Sequence, residues 1–535
     1  MYSQKSKDFT LQITSIDSIE NVIILKKNYL KKLESKKKAL AEIDQLLLDL
    51  KKNGYYAVKI DSLTTRKQAY KAYIDLGVKI GAARIKITNN SDSNLLPSTY
   101  TIEKNYIQIQ PEEITNLLQT LSNRLSNQGK PFSKTTLKRI NIKNSILYAD
   151  LVIEQSKKRH LDSVIIRGYK NFPKNYIKHF YKLQEKTLFN QKKLTEISKQ
   201  TTLLKFASEL KPPEALFSKD STLLYIYLNK KQANSVDGLV NFSSKENNKG
   251  VSFNGYIDLS LINAFNYGEE LKIHWKNTGE NKQFFKINTK IPYIFNTKVS
   301  AEASFNLYRH DSTFSNTTAS MRLLLPINNV LILGLSYDSE KSENLLEQLN
   351  SNIESYSNNF IGTQLKYQSL HKNLFNIEIN ASLGKRTALA ENNAQYKLGL
   401  TSSILLQLNQ RLFLFLKNSS GYLSSKNYLQ NELYRIGGIR STRGFDEQSI
   451  FTSAYSLINS ELRFSSQKKS YLYTVFDFGF FKNQHLRKNI YSFGLGHAFK
   501  TARNSFDINY VIGKHPETSL NVNHSKISIK MLTFF

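Results

Sequence analysis

The sequence predicts a membrane all-β protein: a 16-stranded transmembrane antiparallel β-barrel over 234–535, preceded by about three small α/β domains at 1–97, 98–160 and 161–233. Three observations carry this. Helical periodicity occurs only before about residue 233; strict apolar/polar alternation fills everything after it; and no apolar run is long enough for a membrane helix.

The first 233 residues mix two periods. A strand "FTLQITS" precedes a helical stretch in which Leu40, Ile43, Leu47 and Leu50 recur at spacings of three and four, with Gly54 as its stop and "GAARIKIT" as the closing strand. A second helical stripe, Ile114, Leu117, Leu118, Leu121 and Leu125, stops at Gly129 and leads into "LKRINIKN" and "ILYADLVIEQ". A third unit runs from "DSVIIRGY" through two helical segments to "STLLYIYLNKK". Three serial β-α-α-β-β modules describe this economically.

From Val236 onward the period is two. Val299, Ala301, Ala303, Phe305 and Leu307 alternate with Ser300, Glu302, Ser304, Asn306 and Tyr308, and Phe375 to Gly384 repeats the pattern. About sixteen such segments fit, joined alternately by tight turns and long polar connections. That is how a transmembrane barrel is built, with a polar lumen and an apolar outer face. Glu302, Glu378 and Glu461 then face the lumen, and closure leaves no free sheet edge.

Composition agrees with this reading. Mean hydropathy is −0.42 although 12% of residues are aromatic, as expected when only one strand face is apolar. The net charge of +32 is concentrated toward the front: 1–233 holds 42 Lys and Arg against 21 Asp and Glu. Such charge fits a Lys- and Asn-rich composition spread over solvated helix faces, or else an anionic lipid surface; no recognition motif accompanies it, which argues against nucleic acid. There is no cysteine. The opening "MYSQKSKDFTLQIT" lacks the apolar core of a secretory signal, so an exported chain would have lost its signal before this numbering begins. No G-x-S-x-G elbow, phosphate-binding glycine loop or paired histidine is present, so no enzyme activity, cofactor or metal is expected.

The connection between the eleventh and twelfth strands is the unusual one. "YRIGGIRSTRGFDEQSI" places Gly437, Gly438, Arg443, Gly444 and Phe445 in roughly thirty residues without clear periodicity, a length that points to function. In "KSYLYTVFDFGFF", Leu472, Thr474, Phe476, Phe478 and Phe480 form the lipid face, so Tyr473, Val475, Asp477 and Gly479 face the lumen. A carboxylate on that wall needs a partner, and Arg443 supplies one if the loop folds inward.

"GGIRSTRGF", "SAYSLINSELRF" and "VFDFG" together resemble the barrel signature of the BamA/TamA outer-membrane assembly-factor superfamily, and the N-terminal modules resemble its periplasmic POTRA domains. The resemblance spans essentially the whole chain. It departs at Val475, where the family usually has Phe. It implies an outer-membrane location with the POTRA domains in the periplasm. It also implies that Arg443, Gly444 and Phe445 form an inward loop tip, with Asp477 and Gly479 as its barrel-wall partner. The implied function is insertion of unfolded outer-membrane or secreted protein clients, received by strand addition on the POTRA edges. Insertion would proceed through a lateral seam between the first strand (Gly238, Leu239, Val240, Phe242) and the last (Ile527, Ile529, Met531, Phe535). Accessory lipoproteins or an inner-membrane partner on the POTRA arm are further expectations. Two alternatives stay open: a two-partner-type secretion translocator, which usually has two modules and a plug helix before the first strand, and a passive porin, which needs no client-receiving arm.

Overall fold

The computed structural model describes residues 9–66, 69–88, 94–244, 251–277, 282–328, 330–346, 352–369, 374–389, 391–467, 469–483, 486–514 and 525–535. Two compact units divide the chain: 1–165 with 184–199 and 212–226, and 166–183 with 200–211 and 227–535. The third module therefore contributes to both.

The first module orders its sheet β2 (Lys32–Leu33), β1 (Phe9–Thr14), β4 (Ala69–Asp75), β3 (Lys59–Arg66). Its β1 and β4 run parallel, a pairing that requires a crossover, here made by α1 (Ser18–Leu25) and α2 (Lys36–Lys52). Each helix begins at a side-chain cap: Asp17 accepts from the Ile19 and Glu20 amides, and Ser35 from the Lys38 amide. The face α2 buries is Ala39, Ile43, Leu46 and Leu50. Leu40, expected on it, is exposed, and Leu47 only packs against the core's margin. Three consecutive leucines at 46–48 leave the stripe ambiguous in sequence, and packing chooses the frame.

The second module contains β5 (Ala82–Ile87), β6 (Ile102–Glu103), β7 (Tyr106–Ile109), α3 (Ile114–Asn127), β8 (Lys134–Lys143) and β9 (Ile146–Glu154), in the sheet order β6-β7-β5-β9-β8. This corrects the sequence expectation in two ways. The strand "GAARIKIT" does not close the first module: it pairs with β7 and β9 of the second. Ala83, Ile85 and Ile87 join the core formed by Leu117, Leu121 and Leu125, so the boundary anticipated at 97/98 lies between β4 and β5. Among the described residues, moreover, the β6-β7 hairpin and a 3₁₀ turn precede a single α-helix, where two helices were anticipated.

The third module has β10 (Ser163–Arg167), α4 (Lys174–His179), α5 (Gln191–Thr201), β11 (Ala207–Phe217) and β12 (Thr222–Lys230), with sheet order β10-β12-β11. Its residues that share a unit with the barrel dock on the turns at the end where the chain enters. Asn263 donates to the Tyr169 hydroxyl at 2.6 Å, and the Tyr176 hydroxyl donates to the Gly268 carbonyl at 3.3 Å.

The barrel strands follow in order: β13 (Ser235–Ser244), β14 (Val251–Ile262), β15 (Glu270–Asn277), β16 (Gln283–Ile291), β17 (Ser300–His310), β18 (Phe314–Pro326), β19 (Leu331–Asn344) and β20 (Tyr356–Gln368). Next come β21 (Leu374–Ala388), β22 (Asn392–Gln407) and β23 (Leu412–Ser424); after an inserted hairpin, β24 (Tyr434–Ile436) and β25 (Ile450–Thr452), the wall resumes with β26 (Ala454–Gln467). It ends with β27 (Ser470–Asn483), β28 (Leu486–Lys500), β29 (Asn504–Lys514) and β30 (Ser525–Phe534). Sixteen strands close into one antiparallel barrel, and β24 and β25 form a separate two-stranded sheet that is not part of the wall.

Alternation sets the two faces. Leu335, Ile361, Leu383, Leu495 and Ile527 are each more than 60% exposed on the outside, an apolar belt that only lipid can cover. Inside, Glu302 lies within 4 Å of Lys290 and Lys366, and Glu378 accepts from Gln364 at 2.8 Å. No described helix is long and apolar enough to cross a membrane.

Candidate functional site: the lumen loop and its wall

The connection from β23 to β26 leaves the barrel at the end opposite to where the chain enters, then returns into the lumen as the β24-β25 hairpin. Ile436 and Ile450 of the hairpin pack on Leu457, Phe481 and Ile490 of the inner wall, and Phe445 joins this cluster. Gly479 has no side chain, so Ile490 and Leu457 close over it; a Cβ there would lie 2.7 Å from Ile490 Cγ1. The loop tip is a tight reversal. Gly437 and Gly438 both adopt positive φ, and the Gly437 amide donates to the Ser441 hydroxyl at 2.8 Å.

At the tip Arg443 enters a pocket of carboxylates. Its Nε donates to Asp477 Oδ2 at 2.9 Å and its Nη2 to Asp477 Oδ1 at 2.6 Å, a two-pronged contact to which its own amide adds a third bond at 3.0 Å. The remaining Nη1 donates to Glu461 Oε1 at 2.5 Å. Arg463 neutralises the other oxygen of Glu461 at 2.7 Å. Asp477 is 0% exposed and Arg443 only 8%, so the guanidinium replaces for both carboxylates the water that burial removes. The sequence reading assigned Asp477 to Arg443 but not Glu461, whose strand pairs with β27 two residues away from the Asn459–Asp477 match. Alternation already marked Glu461 as lumen-facing, so that signal was present.

Gly444 seats the tip on the wall. Its φ is +84°, and a Cβ would stand 2.7 Å from the Gly513 amide nitrogen of β29. Gly513 is equally constrained, since its own Cβ would meet the Gly444 carbonyl at 2.6 Å. Gly444→Ala is expected to lower stability by about 1–3 kcal/mol, the range for a side chain forced into such backbone. The temperature at which heat-modifiable gel mobility is lost checks this; an unchanged temperature would mean that the tip can lift off β29 freely. Val475, where the resembled family carries Phe, is buried beside Tyr473, Ala498 and Val511, so neighbouring side chains fill that part of the lumen.

The other expected site is the seam, and here the structure departs from expectation. β13 and β30 meet at two residue pairs, Ser235 with Phe534 and Val236 with Thr533, extended by the Phe535 amide donating to the Asn234 carbonyl at 3.0 Å. Gly238, Leu239, Ile527, Ile529 and Met531 lie on these strands, but none pairs across the seam; they pair only with β14 or β29. Val240 and Phe242 pair with Gly255 and Phe253 of β14, and their side chains fall outside what is described. The closing register depends on tilt and stagger accumulated over sixteen strands rather than on the sequence of either end strand. Every other neighbouring pair of wall strands is in register over at least eight residues, the shortest being β14-β15 and β15-β16.

No protein family and no curated protein matches the sequence. Solved structures do match. CdiB from Acinetobacter baumannii is 13% identical with a TM-score of 0.54, covering 94% of this chain and 98% of that one. CdiB from Escherichia coli is 12% identical with a TM-score of 0.51, covering 93% and 98%. BamA from Haemophilus ducreyi lacking POTRA domains 1-3 is 15% identical with a TM-score of 0.49, covering 85% and 100%.

Proposed function

We propose that this chain, which has the fold of those barrels with N-terminal α/β modules, is an outer-membrane assembly factor that inserts unfolded client proteins through the β13-β30 seam, with its modules in the periplasm. The observation that carries the reading is the seam itself. A ladder of two residue pairs is the weakest joint in the wall, and on its lumen side Ser235, Lys530 and Leu532 border one cavity. A client strand could add to the unpaired stretches of β13 and β30, main chain to main chain, and so enter lipid with its polar backbone satisfied. Folding of the client supplies the drive.

The β24-β25 hairpin and the loop tip occupy the lumen, which counts against a passive porin. Depleting the protein and comparing outer-membrane with secreted proteomes tests the proposal. Broad loss of barrel proteins is expected. Loss of a single secreted protein with barrels intact would instead identify a two-partner-type translocator. Pull-down on the soluble modules would identify any accessory lipoprotein or inner-membrane partner.

A further inference from the structure

The loop tip does more than pair with β26 and β27: it reaches both sides of the seam. On the β30 side its hold is extensive. Arg443 is buried between Glu461 and Asp477, Gly444 lies against Gly513 of β29, and Asp446 meets Lys526 of β30 at 2.8 Å. On the β13 side the contacts are fewer and none is buried as Arg443 is. Arg440 Nη2 donates to Asp258 Oδ1 and Oδ2 of β14 at 2.9 and 3.0 Å, and lies 3.1 Å from His274 Nδ1 of β15, which itself contacts Asp258 at 2.7 Å. Glu447 reaches Lys276 of β15 at 3.6 Å. The Arg440 side chain is half exposed.

We infer that the loop tip is a clasp across the seam, fixed to the β26–β30 wall and holding β14 and β15 through Arg440 and Glu447. The inference rests on the proposed lateral opening. Two residue pairs, extended by the one Phe535–Asn234 bond, join the main chains of β13 and β30, so ion pairs that tie their neighbours together on the lumen side restrain the same motion. The asymmetry says which arm lets go. Buried, multiply bonded Arg443 is costly to release, whereas exposed pairs are worth little and are screened by salt. Release of Arg440 from Asp258 and His274 therefore frees the β13 side while the loop stays seated on the β30 side.

The test uses the full chain in phospholipid vesicles, with nitroxide labels on cysteines introduced at Leu239 and Ile529, the chain having none of its own. Pulsed spin-label distances should show a widened seam in Arg440→Glu and in Glu447→Lys, its fraction rising by up to about fivefold. Arg440→Glu with Asp258→Arg should return the narrow distribution. Heat-modifiable gel mobility confirms that each barrel is folded, and Asp258→Asn serves if Arg440→Glu is not. An unchanged distribution in folded variants overturns the clasp whatever the clients do. A widened seam with client insertion unaltered keeps the clasp and overturns the insertion reading instead.

Discussion

Arg443→Ala should destabilise the folded barrel by roughly 3–5 kcal/mol, the cost typical of breaking a buried ion pair by removing one partner. Two carboxylates are left behind. Asp477 would lose both guanidinium bonds and keep only the one from the residue-443 amide, and Glu461 would keep only Arg463. Denaturant unfolding in detergent micelles measures the loss. Arg443→Lys should fall between the wild type and alanine, since an ammonium cannot bridge Asp477 and Glu461 with the fork a guanidinium offers. Exchanging the charges, Arg443→Asp with Asp477→Arg, should recover part of what Arg443→Asp loses. Recovery stays partial because Glu461 still faces the relocated carboxylate. A loss below about 1 kcal/mol for Arg443→Ala, the value of an exposed pair, would mean that water reaches this site in solution.

Locking the seam should abolish client insertion while leaving the barrel folded. Val236 and Thr533 are direct partners in the ladder, and directly opposed residues of antiparallel strands lie about 4.5–5.5 Å apart at Cα, within the span a disulfide accepts. Cysteines at these two positions should crosslink under oxidation, stop insertion, and restore it on reduction. They are a better probe than positions in 239–242 and 527–531, which are not paired across the seam. A control crosslink between Leu333 and Leu365, partners in the unbroken β19-β20 ladder, should leave insertion unchanged. Full crosslinking at the seam with insertion at its normal rate would exclude lateral opening and favour passage through the lumen.

The sequence by itself was enough for the barrel, its lumen face and the wall residue at its centre. A period of two assigns every second residue of a strand to one side regardless of what lies beyond, so Asp477, Glu302 and Glu378 could be placed inward from their own neighbours. Helix stops were legible too, because Gly54 and Gly129 take the positive φ that glycine tolerates.

What local pattern could not decide was anything that depends on meeting a distant segment. Strand Ala82–Ile87 alternates equally well for either module, and only its parallel partner Ile146–Glu154 assigned it. The frame of α2 turned on which of three adjacent leucines the sheet received. Arg440 stands three residues from Arg443 in the same motif, yet its partner Asp258 is 182 residues away on β14. The extent of the β13-β30 ladder is likewise a property of closure. Register across a barrel is set by the summed twist and stagger of all its strands, a quantity that no single stretch of chain contains.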